Sequence, residues 1–140
     1  MNEKDLVVKH LEIIQRVIDR LGHDSFLIKS WSMTLLVGGI ILLARSEIHF
    51  GWMVLAFLLP VIGFWILDGY FLWQERLFRE IYNEVRKQET TDFEMSPMKH
   101  TNKPKRGWIS SIFSVTLNVF YGIEILFVWG SFFILNTGGL

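Results

Sequence analysis

The sequence predicts an all-α membrane protein. The predicted order is an amphipathic N-terminal helix, a transmembrane helical hairpin whose second helix extends into the cytosol, a linker and a third transmembrane helix. Two observations support this. The chain is 51% hydrophobic yet 20% charged, and the charges are segregated along it. Three segments are nearly free of charge, and at ~1.5 Å per residue they approach the ~30 Å hydrocarbon thickness of a bilayer.

Residues 1–24 are predicted to form a cytosolic amphipathic helix. Apolar residues recur at intervals of four and three, and charged side chains fill the opposite face. The stripe comprises Val7, Leu11, Ile14, Ile18 and Leu21. Gly22 follows the stripe and is the expected C-cap.

The hairpin is predicted over residues 26–73, with a first span at about 26–45 and a second at about 48–73. Residues 74–88 continue the second span as an amphipathic cytosolic helix, and residues 89–107 form a basic linker containing two prolines. Residues 108–135 form the third span, and residues 136–140 form an external tail. The two amphipathic stripes should pack together because they lie on the same side of the membrane.

Tryptophans mark the expected interfaces. Trp52 and Trp73 are 21 residues apart, as are Trp108 and Trp129. That interval covers ~31 Å of helix, and tryptophan favours membrane–water interfaces. Trp31 is a further candidate anchor at the start of the first span.

The distribution of Lys and Arg predicts the orientation. Residues 1–30 carry five and residues 74–107 carry eight, whereas the hairpin turn (46–51) and the tail carry none. Basic flanks stay in the cytosol. The N-terminus is therefore expected inside and the C-terminus outside a bacterial inner membrane.

Asp68 is an acid five residues inside the expected interface at Trp73, where an unpaired charge is costly. One interpretation is structural, with Asp68 bound to Lys29 or to the hydroxyls of Ser32 and Thr34. The other is a hydrated path lined by Asp68.

A second polar group follows one side of the third span: Ser114, Asn118, Tyr121 and Glu124. Such a stripe must face protein or water. In one interpretation it lines a homo-oligomeric pore, with Glu124 forming an acidic ring. In the other it forms inter-helix hydrogen bonds, with Glu124 paired to Arg45. By the tryptophan interval, Asp68 and Glu124 should lie in opposite leaflets.

Other functional classes have little support. The chain has no cysteine and zero formal net charge, which argues against cysteine-based sites and against nucleic acid as the main partner. The four histidines are scattered, so no metal site is expected. There is no phosphate loop and no catalytic triad, and neither a cofactor nor an enzymatic activity is predicted.

Residues 12–86 resemble a family of small, mostly uncharacterised bacterial multi-span membrane proteins with the pattern IQxVIxR…SFxxKxW…FWxLDxYxLxxERxxRxLY. The matching positions are Ile14, Gln15, Val17, Ile18, Arg20, Ser25, Phe26, Lys29, Trp31, Phe64, Trp65, Leu67, Asp68, Tyr70, Leu72, Glu75, Arg76, Arg79 and Tyr82. The chain departs from the pattern at Asp24 and Ile81, and the third span lies outside it.

The plan of hairpin and cytosolic helix is also similar to SLATT-type proteins. That resemblance implies an anti-phage defence effector that assembles as a homo-oligomeric pore or ion channel, gated from the cytosol by a sensor protein or second messenger. The alternative is a non-conducting anchor or scaffold subunit that presents cytosolic helices to a soluble partner.

Overall fold

The computed structural model describes residues 2–43, 50–96 and 107–137, and within them all regular structure is helical. The helices are α1 (Glu3–Leu43), α2 (Phe50–Val85), α3 (Trp108–Ile112) and α4 (Val115–Thr137). Three of them, α1, α2 and α4, are long and apolar enough to cross a membrane. The all-helical class and the three apolar helices predicted from the sequence are therefore confirmed.

The N-terminal helix and the first span form one continuous helix. The helix end expected at Gly22 is not found, because α1 runs through this residue for 41 residues. A glycine inside a helix costs only about 1 kcal/mol relative to alanine. Side chains on both sides of Gly22, including Leu21 and Ile28, are buried in the protein. The packing of both halves of α1 therefore outweighs the weak tendency of the helix to end at Gly22.

Helices α1 and α2 form an antiparallel pair. Gly39 near the end of α1 lies against the ring of Phe57 near the start of α2, and Lys29 meets Asp68 farther along. At ~1.5 Å per residue the helices are about 62 Å and about 54 Å long, which exceeds the apolar thickness of a bilayer. Each helix therefore has an apolar half and a polar half. We call residues 3–24 of α1 and 74–85 of α2 the stalk.

The stalk has its own apolar core. The expected packing of the two amphipathic stripes is confirmed, since α1 and α2 bury a common cluster there. The buried members are Val7, Ile14, Ile18, Ile81 and Val85. Helix α2 continues past Trp73 and ends at Val85, three residues before the expected end. Residues 89–96 then fold back on the stalk, where Met95 packs against the cluster and Thr91 Oγ1 lies 2.6 Å from His10 Nδ1.

The third span differs from the prediction of one uninterrupted helix over 108–135. The short helix α3 ends at Ile112, and α4 begins at Val115. Ser114 accepts a hydrogen bond from the Leu117 N–H at 3.4 Å, as an N-cap residue does. Asn118 Nδ2 donates to the Phe113 carbonyl at 3.3 Å. Two residues of the predicted polar stripe therefore stabilise the break between α3 and α4.

Helix α4 runs antiparallel to α2 and completes the apolar half. Phe57 on α2 and Phe132 on α4 have ring centroids 6.2 Å apart, and Trp65 stacks on Tyr121 at 5.9 Å. The buried members of this second core are Leu36, Phe57, Val61, Leu117, Tyr121, Val128 and Phe132. The outer side of α4 exposes large apolar side chains: Val115, Val119, Ile123, Leu126, Phe127, Phe133 and Ile134. An apolar surface of this kind suits lipid contact.

Several predicted features fall outside the described residues. These are most of the hairpin turn together with Arg45, the basic run at 99–106, and the end of the tail at 138–140. The beginning of the expected tail is helical, since α4 extends to Thr137.

Candidate functional site

A polar cluster lies in the interior of the apolar half, with Asp68 at its centre. The Asp68 side chain is fully buried, and Lys29 Nζ lies 2.5 Å from its Oδ2 atom. The Ser25 hydroxyl donates to Oδ1 at 2.5 Å, and the Tyr121 hydroxyl donates to Oδ2 at 3.2 Å. All three helices that approach membrane length therefore contribute to the binding of one carboxylate.

The predicted Lys29–Asp68 pair is present, whereas the predicted hydroxyl partners are not. Ser32 binds a different acid, and the Thr34 hydroxyl donates to the Ser30 carbonyl of its own helix at 2.8 Å. Ser25 was not predicted as a partner of Asp68. Ser25 lies four residues before Lys29 and so shares its helix face, and Lys29 Nζ donates to the Ser25 hydroxyl at 2.8 Å. The four-residue spacing of Ser25 and Lys29 was the sequence feature that could have predicted this contact.

Glu124 lies inside the protein with only 1% of its surface exposed. The Ser32 hydroxyl donates to its Oε2 atom at 2.7 Å and so joins α1 directly to α4. Its other oxygen, Oε1, is shielded and has no hydrogen-bond partner among the described residues. Arg45, the cation expected to pair with it, lies outside the described residues. Of the two interpretations of Glu124, this arrangement matches an inter-helix contact.

The four residues of the polar stripe predicted on the third span fall into two pairs with different environments. Tyr121 and Glu124 point into the bundle, where both are buried. Asn118 is exposed on the outside of α4, and Ser114 is half-buried at the cap. The four residues therefore do not form one continuous polar surface, because the break before Val115 changes how the first two are used.

Asp68 and Glu124 lie about one helical turn apart along the bundle, which corrects the expectation of opposite leaflets. Asp68 is bound by Tyr121, three residues from Glu124, and by Lys29, three residues from Ser32. Three residues of helix span about 4.5 Å.

The two tryptophan intervals place Asp68 opposite residue 113, and the neighbouring Gly69 does lie against Ile112. The prediction fails farther along, where the Tyr121 hydroxyl reaches Asp68. The helix breaks before Val115, so a count of residues from Trp108 does not continue along one straight helix.

The predicted tryptophan anchors occupy different environments. Trp31, Trp52, Trp108 and Trp129 are exposed on the protein surface, consistent with contact to lipid or interface. Trp73 is largely covered instead, and its indole N–H has no partner among the described residues. Trp65, not predicted as a site residue, donates from Nε1 to the Ile112 carbonyl at 3.0 Å and helps to hold the end of α3.

A third polar contact lies nearer the stalk. Arg76 Nη1 donates to the hydroxyl of the buried Ser111 at 3.1 Å and so joins α2 to α3. On the exposed side of the stalk, Glu75 and Arg79 form an ion pair at 2.7 Å, and Glu12 and Arg16 form a longer pair at 3.8 Å. Exposed pairs of this kind contribute little to stability, so they leave the stalk surface open to other charged groups.

The described residues contain no group of three or more His, Asp or Glu side chains placed to hold a metal ion. The chemical feature of the site is its balance of charge. Lys29 neutralises Asp68, whereas Glu124 has no cation among the described residues.

Comparison with known proteins found no match to a protein-family model, to a curated protein or to a solved structure.

Proposed function

We propose that this chain is a multi-pass protein of the bacterial inner membrane that anchors the stalk and presents it to a soluble cytosolic partner, without conducting ions and without catalysing a reaction. The N-terminus is cytosolic and the C-terminus external, as the distribution of Lys and Arg favours.

The observation that carries the proposal is the continuity of α1 and α2. Neither helix is interrupted between its apolar half and the stalk. Each half also has its own packed core, centred on Ile14 and Ile81 in the stalk and on Leu36 and Val61 in the apolar half. A helix pair built in this way holds a soluble surface at a fixed position and orientation relative to the membrane.

The surface of the stalk suits a polar, charged partner. Glu12 and Arg16 on α1 and Arg79 on α2 are exposed, and neither helix presents a large apolar patch there. An interface with such a surface depends on charge complementarity. Reversing charges on the stalk should therefore abolish function, while neutral changes in the lipid-facing side chains of α4 should not.

The pore, which is the first prediction from the sequence, becomes the alternative here; it was motivated by the polar stripe on the third span and by the resemblance to SLATT-type proteins. It requires Tyr121 and Glu124 to leave their contacts with α2 and α1 and face a water path between copies of the chain. The outward face of α4 carries mainly apolar side chains, and its exposed polar side chains among the described residues are Thr116, Asn118 and Thr137. That face alone is poorly suited to hydrate a pore.

Ion flux separates the two functions. Full-length protein in liposomes should give no ion flux above that of empty vesicles, with or without a membrane potential. Flux that is reduced or changed in ion preference by Glu124→Gln would refute the anchor and favour the pore.

The partner can be sought by site-specific photo-crosslinking in cells. A crosslinker at Arg16 or Arg79 should capture one soluble protein, whereas a crosslinker at the lipid-facing Leu126 should not. Arg16→Glu should abolish the product formed from position 79. Capture from position 126 alone would contradict the proposal.

The absence of cysteine allows a direct test of orientation. Glu12→Cys in the stalk and Thr137→Cys at the end of α4 are both exposed positions. A membrane-impermeant maleimide should label Thr137→Cys in intact spheroplasts and label Glu12→Cys only after permeabilisation. Labelling of both variants in intact spheroplasts would contradict the proposed topology.

A further inference from the structure

Apart from Ser32, the side chains that surround Glu124 on its own level of the bundle are mainly apolar. On its own helix, Leu117 and Val128 share its face at helical spacing, and both are buried. Across the contact, Leu36 on α1 and Val61 on α2 are buried in the same core. Among the described residues, the hydrogen bond to the carboxyl group comes from the neutral hydroxyl of Ser32.

The charged and titratable groups nearest to Glu124 are already committed to one another. On α1, Lys29 binds Asp68, which is its partner on α2. On α4, the Tyr121 hydroxyl donates its proton to the same Asp68 carboxylate. The cluster is therefore electrically balanced without Glu124. An ionised Glu124 would add a negative charge that nothing in the described part of the chain compensates.

We propose that Glu124 is a proton-binding site and that it holds a proton in the resting protein. A neutral carboxyl group can accept the hydrogen bond from Ser32 and leave its other oxygen without a partner at a modest cost in free energy. Burying an unpaired, negatively charged carboxylate in the same place costs much more. The two neighbouring acids thus differ in their partners: Asp68 is paired with Lys29, whereas Glu124 has no cation among the described residues and is neutral between α1 and α4. Loss of the proton places a charge in the contact between these helices and weakens their association. The proposal goes beyond the anchor function and does not depend on it.

Dicyclohexylcarbodiimide provides the test, because this apolar reagent reacts with protonated carboxyl groups in apolar surroundings. The carboxyl O–H adds across a C=N bond of the reagent, and the adduct rearranges to a stable N-acylurea without loss of any atom. Full-length protein in detergent is treated with the reagent at a series of pH values, and the modified residue is located by peptide mass spectrometry. We expect the adduct on Glu124, with a yield that falls to background in alkaline buffer. Asp68 should stay unmodified.

A second measurement is independent of access by the reagent. The infrared carbonyl band of a protonated carboxyl group should be present in the wild type near neutral pH and absent from Glu124→Gln, which mimics the neutral acid and should keep wild-type stability. Asp68→Asn serves as the matched control and should retain the band.

Three results would overturn the proposal. The first is that Glu124→Gln removes no carbonyl band from the wild-type infrared spectrum. The second is that the carbodiimide modifies Asp68 in preference to Glu124, and the third is that sodium ions protect Glu124 from modification at constant pH. The last result would assign the site to a metal cation instead.

Discussion

Replacing Lys29 with methionine should destabilise the protein more than replacing Asp68 with asparagine, although both substitutions break the same ion pair. The partners differ in their access to solvent, since the Asp68 side chain is 0% exposed and that of Lys29 is 19% exposed. Lys29→Met leaves a buried carboxylate with only the hydroxyls of Ser25 and Tyr121. Asp68→Asn leaves an ammonium group on a flexible stem, which can turn toward water.

The expected magnitudes follow from this asymmetry. Removing one partner of a buried ion pair costs about 3–5 kcal/mol when the other cannot reach solvent. An aspartic acid in water titrates near pH 4, so forced protonation at pH 7 limits the penalty to about 4 kcal/mol. We therefore expect a loss of about 3–4 kcal/mol for Lys29→Met. The partial exposure of Lys29 reduces the loss to about 1–2 kcal/mol for Asp68→Asn.

Unfolding by sodium dodecyl sulfate in mixed micelles, followed by tryptophan fluorescence, measures these changes. The double variant Lys29→Met/Asp68→Asn removes both charges and should be more stable than Lys29→Met alone, so the cycle should show a coupling energy above about 1 kcal/mol. Two small and additive losses would show that water screens the pair. A larger loss for Asp68→Asn would show that Lys29 is the trapped partner, and either result refutes the reasoning.

Two further substitutions test the packing of the bundle and of the stalk. In Gly69→Ala the new Cβ would lie 2.5 Å from the Ile112 Cγ1 atom and 3.0 Å from its backbone Cα, so α3 must shift, and we expect a loss of about 1–3 kcal/mol in the same unfolding assay. Gly63→Ala meets nothing within 4 Å and should be neutral or stabilising; equal effects of the two alanines would contradict the close α2–α3 contact. Ile81→Ala removes a fully buried side chain of the stalk and should cost about 2–5 kcal/mol. Val8→Ala on the exposed side should stay within about 0.5 kcal/mol, and a loss from Ile81→Ala no larger than this would mean that the stalk helices do not pack together.

The helical periodicity of apolar residues predicted most of the fold, because each apolar stripe lies within a single helix. The spacing of Ile14 and Ile18 and that of Ile81 and Val85 placed the faces that form the stalk core. The interruption at residues 113–114 was harder to predict, because Ser114 and Asn118 are compatible with a helix interior as well as with a cap. The continuity of α1 through Gly22 likewise depends on packing against another helix, which local sequence does not report.

The polar site shows the same division between local and long-range information. Lys29 and Asp68 lie on consecutive antiparallel helices, so counting residues from the turn was enough to bring them together. Tyr121 follows the linker, so its level cannot be counted from a tight turn, and the register of α4 against α2 is set by contacts such as the stacking of Trp65 on Tyr121. Tryptophan positions could not supply this register, because a tryptophan near an interface can also pack partly against the protein, as Trp73 does.

Ser25, Lys29 and Asp68 form a self-contained contact between α1 and α2. Without α4, Asp68 would lose only the Tyr121 hydroxyl and would keep its cation. Glu124 differs from Asp68, because Glu124 is buried in the protein only when α4 packs on the other two helices. The docking of α4 is therefore the step that places the Glu124 carboxyl group against Ser32 in the core, and under the proposal above it is most favourable when that group is neutral. The hairpin can thus form with its charges already balanced, while the addition of α4 is the part of assembly that responds to a proton.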